Sequence, residues 1–257
     1  MRVFATRHDA SKAFLMASFS FVNGWVDAIC LTRYRAFATM MVGNMLTFGH
    51  SAVDYWLAGR DDPTIGVLPD PLFYVFLVVN FCLGVSLYRV LERSRGWSGK
   101  HFAPLVVIWV IFHDIMDSVF APGDLVPTRW NVLRLAPVFG VQDAMTVRNG
   151  FGSLPWCTTN NVVTIAFAST DLALGGCSMA AEEWRKLITS AIMFGFMILG
   201  TVSGAAFDSM TPIEGLDDFE IAVMAPALGV LFLVNDWIFP PAQKTAERLR
   251  EGLLLTG

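Results

Sequence analysis

Two aspartates lie inside apolar stretches of this chain in the same local setting. Asp27 sits in Gly24-Trp25-Val26-Asp27-Ala28, and Asp143 in Gly140-Val141-Gln142-Asp143-Ala144. A carboxylate within hydrocarbon is costly and is rarely left without a partner or a function. A matched pair facing one central cavity could bind a cation or carry a proton. The structural alternative places each at a helix end at headgroup depth, because Arg33 and Arg148 follow within a few residues, or has each lock its own half through helix-terminus hydrogen bonds.

A second set is made of amides and hydroxyls. Gly43, Asn44 and Thr47, and later Asn160, Asn161 and Thr164, would suit broken membrane segments in which amides and exposed backbone groups bind a solute or ion. The competing reading is interhelical glue. His50, past Asn44, reads as a hydrogen-bonded packing histidine in preference to a proton relay. His113, Asp114 and Asp117 form the one cluster with metal-like character, since positions 113 and 117 share a helix face. A metal would need further ligands from elsewhere, and no second His-rich segment exists, so a solvated helix end at the interface is the favoured reading. Gly24, Gly43 and Gly140 open the polar segments. Gly200 and Gly204, in a G-xxx-G spacing, read as close helix packing within the chain or in a homo-oligomer. No nucleophile elbow, phosphate loop or dinucleotide fingerprint stands in a plausible context. The expectation is therefore no soluble-type enzyme and no cofactor, with an intramembrane metal enzyme using His113, Asp114 and Asp117 as a distant third reading.

These residues must be positioned by elements that live in lipid. Of 257 residues, 54% are hydrophobic and 16% charged, with 21 Phe and 8 Trp, against roughly 25% charged in soluble domains. Mean hydropathy is +0.54. The net charge of −4 offers no basic field for nucleic acid. Cys30, Cys82, Cys157 and Cys177 are scattered, with no ligand spacing, and read as small apolar packing residues. Arg2, Arg7 and Lys12 before an apolar run superficially resemble a signal peptide; Asn23 and Asp27 within the run favour a retained first membrane helix.

The clearest spans are Pro71–Tyr88 and Leu187–Phe207, both uncharged and about long enough for a ~30 Å core. Ala13–Leu31, Phe102–Phe120, Ile221–Phe239 and, more weakly, Leu133–Val147 carry an acid inside or near an end. Phe37–Leu57 and Cys157–Leu174 are apolar but diluted by polar residues. Six crossings or eight are possible, and basic residues favour six. The clusters at the N-terminus, Arg89–Lys100, Arg148–Lys186 and Lys244–Arg250 then all face the cytoplasm with both termini, while the acidic stretch from Asp208 to Glu220 falls outside.

The chain also matches itself. The G-x-x-D-A segments are offset by 116 residues, Asn44/Asn161, Thr47/Thr164 and Asp54/Asp171 by 117, and Gly84/Gly200 again by 116. Such self-similarity predicts a duplication, with one repeat at about 11–121, a second at about 128–240 and a cytoplasmic tail at 241–257. Three crossings per half would make the repeats inverted, a plan common in secondary transporters. The expected fold is a single all-α polytopic membrane bundle over 1–257, with two extra broken or half-inserted segments.

The G-x-V-D-A segment followed by Val42-Gly43-Asn44, and the G-x-Q-D-A segment followed by Thr158-Thr159, resemble the YoaK-like family of uncharacterised six-helix membrane proteins. The resemblance runs from about Ala13 to Phe239. The family usually reads T-G-N in the first half, and G-x-Q-N-A, T-T and T-G in the second. This chain has Val42, Asp143 and Asn160-Asn161 at those points. The resemblance implies a fold and a membrane location. From the residues the expected function is transport of a small solute or ion through Asp27, Asn44, Thr47, Asp143, Asn161 and Thr164. The alternative is a non-transporting scaffold or a lipid- or partner-binding protein.

Overall fold

The computed structural model describes residues 7–58, 70–120, 129–148, 164–166, 168, 170, 181–210 and 220–239. Its helices, in chain order, are α1 (Arg7–Tyr34), α2 (Met41–Ala58), α3 (Asp70–Arg95), α4 (Gly99–Phe120), α5 (Ala136–Arg148), α6 (Ala181–Met210) and α7 (Ala225–Ile238). Single 3-10 turns at Val132–Arg134 and Ala222–Met224 lead into α5 and α7. No strand occurs among the described residues, so the chain is an all-α bundle. Asn160, Asn161, Thr158, Thr159, Cys157 and Cys177 lie outside the described residues.

Helix ends follow local chemistry. Arg35 (φ 54°) and Gly96 (φ 66°) adopt left-handed backbone just past α1 and α3. Their N–H groups return to Leu31 O (3.2 Å) and Glu92 O (3.1 Å), which closes each helix on one of its last carbonyls. Glycine takes this conformation freely, whereas Arg35 adopts it against a steric penalty. Gly96, Trp97 and Ser98 then turn the chain directly from α3 into α4.

Four stretches are long and apolar enough to cross a bilayer: Asp9–Tyr34, Pro71–Arg95, Gly99–Ser118 and Glu183–Ser209. They make this a membrane-embedded helical protein. Ala222–Ile238 is a shorter apolar helix. Most of the apolar stretch of α1 is buried, while α3, α4 and α6 leave most of theirs on the outside. Thus α1 is the central helix, and exposed residues such as Leu83 and Leu87 on α3 or Leu199 and Val202 on α6 form the lipid-facing surface. In water such a surface would mark an interface. Each predicted span in the described residues is helical, and the largest difference is at α3, which runs on to Arg95 past the predicted end at Tyr88. The diluted segment 37–57 is a turn followed by α2.

Helix pairing is set by glycines. A Cβ at Gly200 would strike the carbonyl of Phe21, one at Gly204 would lie 2.7 Å from Trp25 O, and one at Gly24 would strike Met197 O. The G-xxx-G face of α6 therefore packs against α1 within the chain. The successive contacts of 200 with 21 and 204 with 25 make α1 and α6 run parallel. The pair α3/α5 repeats this register: Gly84 meets Pro137, and Gly140 meets Phe81 and Val85. Each of these contacts lies 116 residues from its counterpart in α1/α6.

The third pair is α4 with α7. Asp236, late in α7, accepts from Gly99 N at 2.9 Å and Lys100 N at 2.8 Å at the start of α4. Asp114, late in α4, accepts from Ala222 N at 2.6 Å ahead of α7. Each helix thus carries the cap of the other, and the two run antiparallel. Asp114/Asp236 and Lys100/Ala222 are both 122 residues apart.

Candidate functional site

The centre is built where α1 meets α5. Asn23 and Asp27 are one turn apart on the same face of α1, beside the glycine that brings α6 close. Gln142 Nε2 donates to Asn23 Oδ1 at 2.9 Å, and neither side chain has any exposed surface. Asp143 follows Gln142 and lies within electrostatic reach of Asp27. Both aspartates are buried, at 3% and 7% exposure. They are therefore enclosed in the bundle. Arg33 is engaged elsewhere, with Glu220 at 2.7 Å.

The two acids differ in how they are served. Asp27 Oδ1 accepts from Thr39 N at 2.9 Å, and its Oδ2 from the Thr39 hydroxyl. The turn that carries Thr39 is held by Asn44. Its Oδ1 accepts from Phe37 N at 3.0 Å, its Nδ2 donates to Phe37 O at 2.6 Å, and Gly43 leaves room for the Phe37 ring. Asn44 therefore acts on Asp27 through the turn. Asp143 Oδ1, by contrast, has no hydrogen-bond partner among the described residues, and the same holds for Gln142 Oε1 and Asn23 Nδ2. An unmet buried polar atom carries a desolvation cost of about 1–3 kcal/mol, so three at one crossing are notable.

The other predicted residues disperse. Thr47 donates to Gly43 O of its own helix at 2.9 Å. Thr164 is helical and half-buried. His50 is exposed. Cys30 is buried and Cys82 exposed.

His113, Asp114 and Asp117 are buried, not a solvated helix end, and they point to different partners. Tyr34 OH donates to Asp117 Oδ2 at 2.8 Å and lies 3.1 Å from His113 Nε2. Asn131 donates to the other Asp117 oxygen, and Asp114 caps α7. No group of three or more metal-ligating side chains gathers among the described residues.

Close to this network, Arg129 donates to Tyr74 OH at 2.6 Å and lies over the rings of Phe73 and Tyr74. Outside the spans, burial raises the Glu220 carboxyl above its ordinary range, while the Arg33 guanidinium pulls it back down and the neighbouring Asp208 pushes it up.

Sequence reasoning passed over Asn23, Thr39 and the role of Gln142. Asn23 was visible as a lone amide beside Gly24. Thr39 had no signal of its own, because its role depends on the turn that returns it to Asp27.

No curated protein and no solved structure matches the chain. A family model does, over residues 15–233, which is most of its length. The chain belongs to the family described as "Protein of unknown function (DUF1275)".

Proposed function

We propose that this chain is a transporter of a small solute or ion, built from two inverted halves that cross the membrane six times and meet at Asp27 and Asp143. The observation that carries this reading is the buried carboxylate pair at the crossing of α1 and α5, of which Asp143 Oδ1 has no partner among the described residues. Secondary transporters place their sites near the midplane where halves of opposite orientation meet, and buried acids of this kind mark ion and proton paths.

Three features support the inverted plan. The glycine contacts of α1/α6 recur 116 residues away in α3/α5. The caps of α4 and α7 are reciprocal. With eight alternating crossings, α4 and α7 would run the same way. With six, α2 and the segment near 164–170 do not cross, α1 and α6 run parallel, and α4 and α7 run antiparallel. The basic residues then put both termini in the cytoplasm. The YoaK-like resemblance fits the same plan, and no catalytic step is assigned.

The test is uptake into proteoliposomes. Labelled sodium, potassium and a panel of small polar solutes are offered to the wild type, Asp27→Asn, Asp143→Asn and Gly49→Ala. Wild type and G49A should move at least one compound above empty liposomes, with at least a tenfold loss in both aspartate variants. If nothing moves, or the aspartate variants keep the wild-type rate, a scaffold or lipid-binding role takes the place of transport.

A further inference from the structure

The geometry points to a binding site for one monovalent metal cation between α1 and α5, with Asp143 Oδ1 and Gln142 Oε1 as ligands and Asn23 Nδ2 donating to an oxygen of the ion's shell. This rests on the transporter reading and names its coupling ion.

Charge balance is the first reason. Asp27 and Asp143 are both buried and within electrostatic reach. Among the described residues no lysine, arginine or histidine pairs with either. Arg33 is held by Glu220 and Arg129 by Tyr74. Two carboxylates in an apolar interior persist as anions only beside a compensating positive charge and otherwise take up a proton. Thr39 gives Asp27 two donors, whereas no donor among the described residues meets Asp143 Oδ1, so Asp143 is the carboxylate that a cation would serve.

The second reason is the set of unmet atoms. Gln142 uses its Nε2 on Asn23 and turns its oxygen to no described donor. Together with Asp143 Oδ1 this supplies two hard oxygen acceptors on adjacent residues of α5. Carboxylate and amide oxygens select alkali and alkaline-earth ions over transition metals. Calcium takes 6–8 oxygens, commonly with several carboxylates, more than this cluster offers. The single carboxylate left without donors, Asp143, matches the charge of a monovalent ion.

The test is thermal unfolding of the full-length protein in detergent micelles, titrated with lithium, sodium or potassium chloride against choline chloride at constant ionic strength and pH. An ion that binds the native state raises Tm with concentration. The wild type should be stabilised by at least one alkali cation and not by choline. Asp143→Asn should lose the shift, and Gln142→Ala should need at least tenfold more salt for the same shift.

Two results overturn the proposal: a wild-type Tm indifferent to which cation is present, or an equal shift in D143N and Q142A. If D143N does not fold, the Q142A titration decides alone. Asp143-dependent uptake by a wild type that shows no cation-specific shift would overturn the ion assignment and leave the transporter reading standing.

Discussion

Gln142 donates a 2.9 Å hydrogen bond to Asn23, joining the helices that carry the two G-x-x-D-A segments at the depth where their glycines admit a neighbouring backbone. The bond fixes α1 against α5 so that Asp27 and Asp143 share one interior. Around it, α1 is gripped by α6 and α5 by α3.

That grip predicts a contrast among glycines. Gly84→Ala and Gly200→Ala each push a methyl into a backbone carbonyl, of Pro137 and Phe21, and should each cost roughly 1–3 kcal/mol through overpacking. Gly49→Ala meets nothing within 4 Å and should be neutral or stabilising by about 0.4–1 kcal/mol. Melting curves in detergent order the three. Equal Tm values for G84A, G200A and G49A would contradict the packing.

The reciprocal caps predict paired, local effects. Asp236→Ala frees the amides of Gly99 and Lys100, and Asp114→Ala frees Ala222 N. Each should cost about 0.5–2 kcal/mol. Hydrogen exchange should speed up at the start of α4 in D236A and just before α7 in D114A. Exchange rising at a variant's own helix end would assign the aspartates another role.

The Arg33–Glu220 pair predicts a pH dependence. Glu220 stands above its ordinary range through burial even with Arg33 beside it. Arg33→Ala removes the group that lowers it, so the carboxyl moves further up. The folded variant then holds a proton over a pH window where the unfolded chain has released it, and its stability falls as pH rises through that window. The deficit relative to wild type should be largest near neutrality, roughly 3–5 kcal/mol for a buried charge left without its partner, and should shrink at acidic pH. Arg33→Met with Glu220→Met should recover much of it. A deficit independent of pH would exclude Glu220 as its cause.

Much of the bundle was legible because lipid imposes length and hydropathy: Pro71–Tyr88 and Leu187–Phe207 could hardly be anything but helices. The 116-residue offset was also legible, and its glycines recur as equivalent contacts in α1/α6 and α3/α5. What sequence could not supply was the partner of each face. Gly200 and Gly204 announced close packing, but their partner, α1, is fixed only in three dimensions. Asn44 looked like a ligand because an amide in an apolar run suits both binding and bracing, and its bonds to Phe37 decide for bracing.

Asp114 stood beside His113 and Asp117 and so read as metal-like. Its counterpart Asp236 lies 122 residues on, not 116, and that slip between the halves concealed the pair of caps. The meeting of Asn23 with Gln142 was out of reach for a similar reason, since it depends on how α1 and α5 meet in three dimensions.

Inversion of the two halves can be read at Ser94 and Ser209. Both are exposed, near the C-terminal ends of α3 and α6, which correspond under the 116-residue offset. In a background with Cys30, Cys82, Cys157 and Cys177 replaced, Ser94→Cys and Ser209→Cys are labelled in sealed vesicles with a membrane-impermeant maleimide. Inverted halves give labelling from opposite sides, with Ser94→Cys on the side of the N-terminus. Labelling of both from the same side would contradict the inversion.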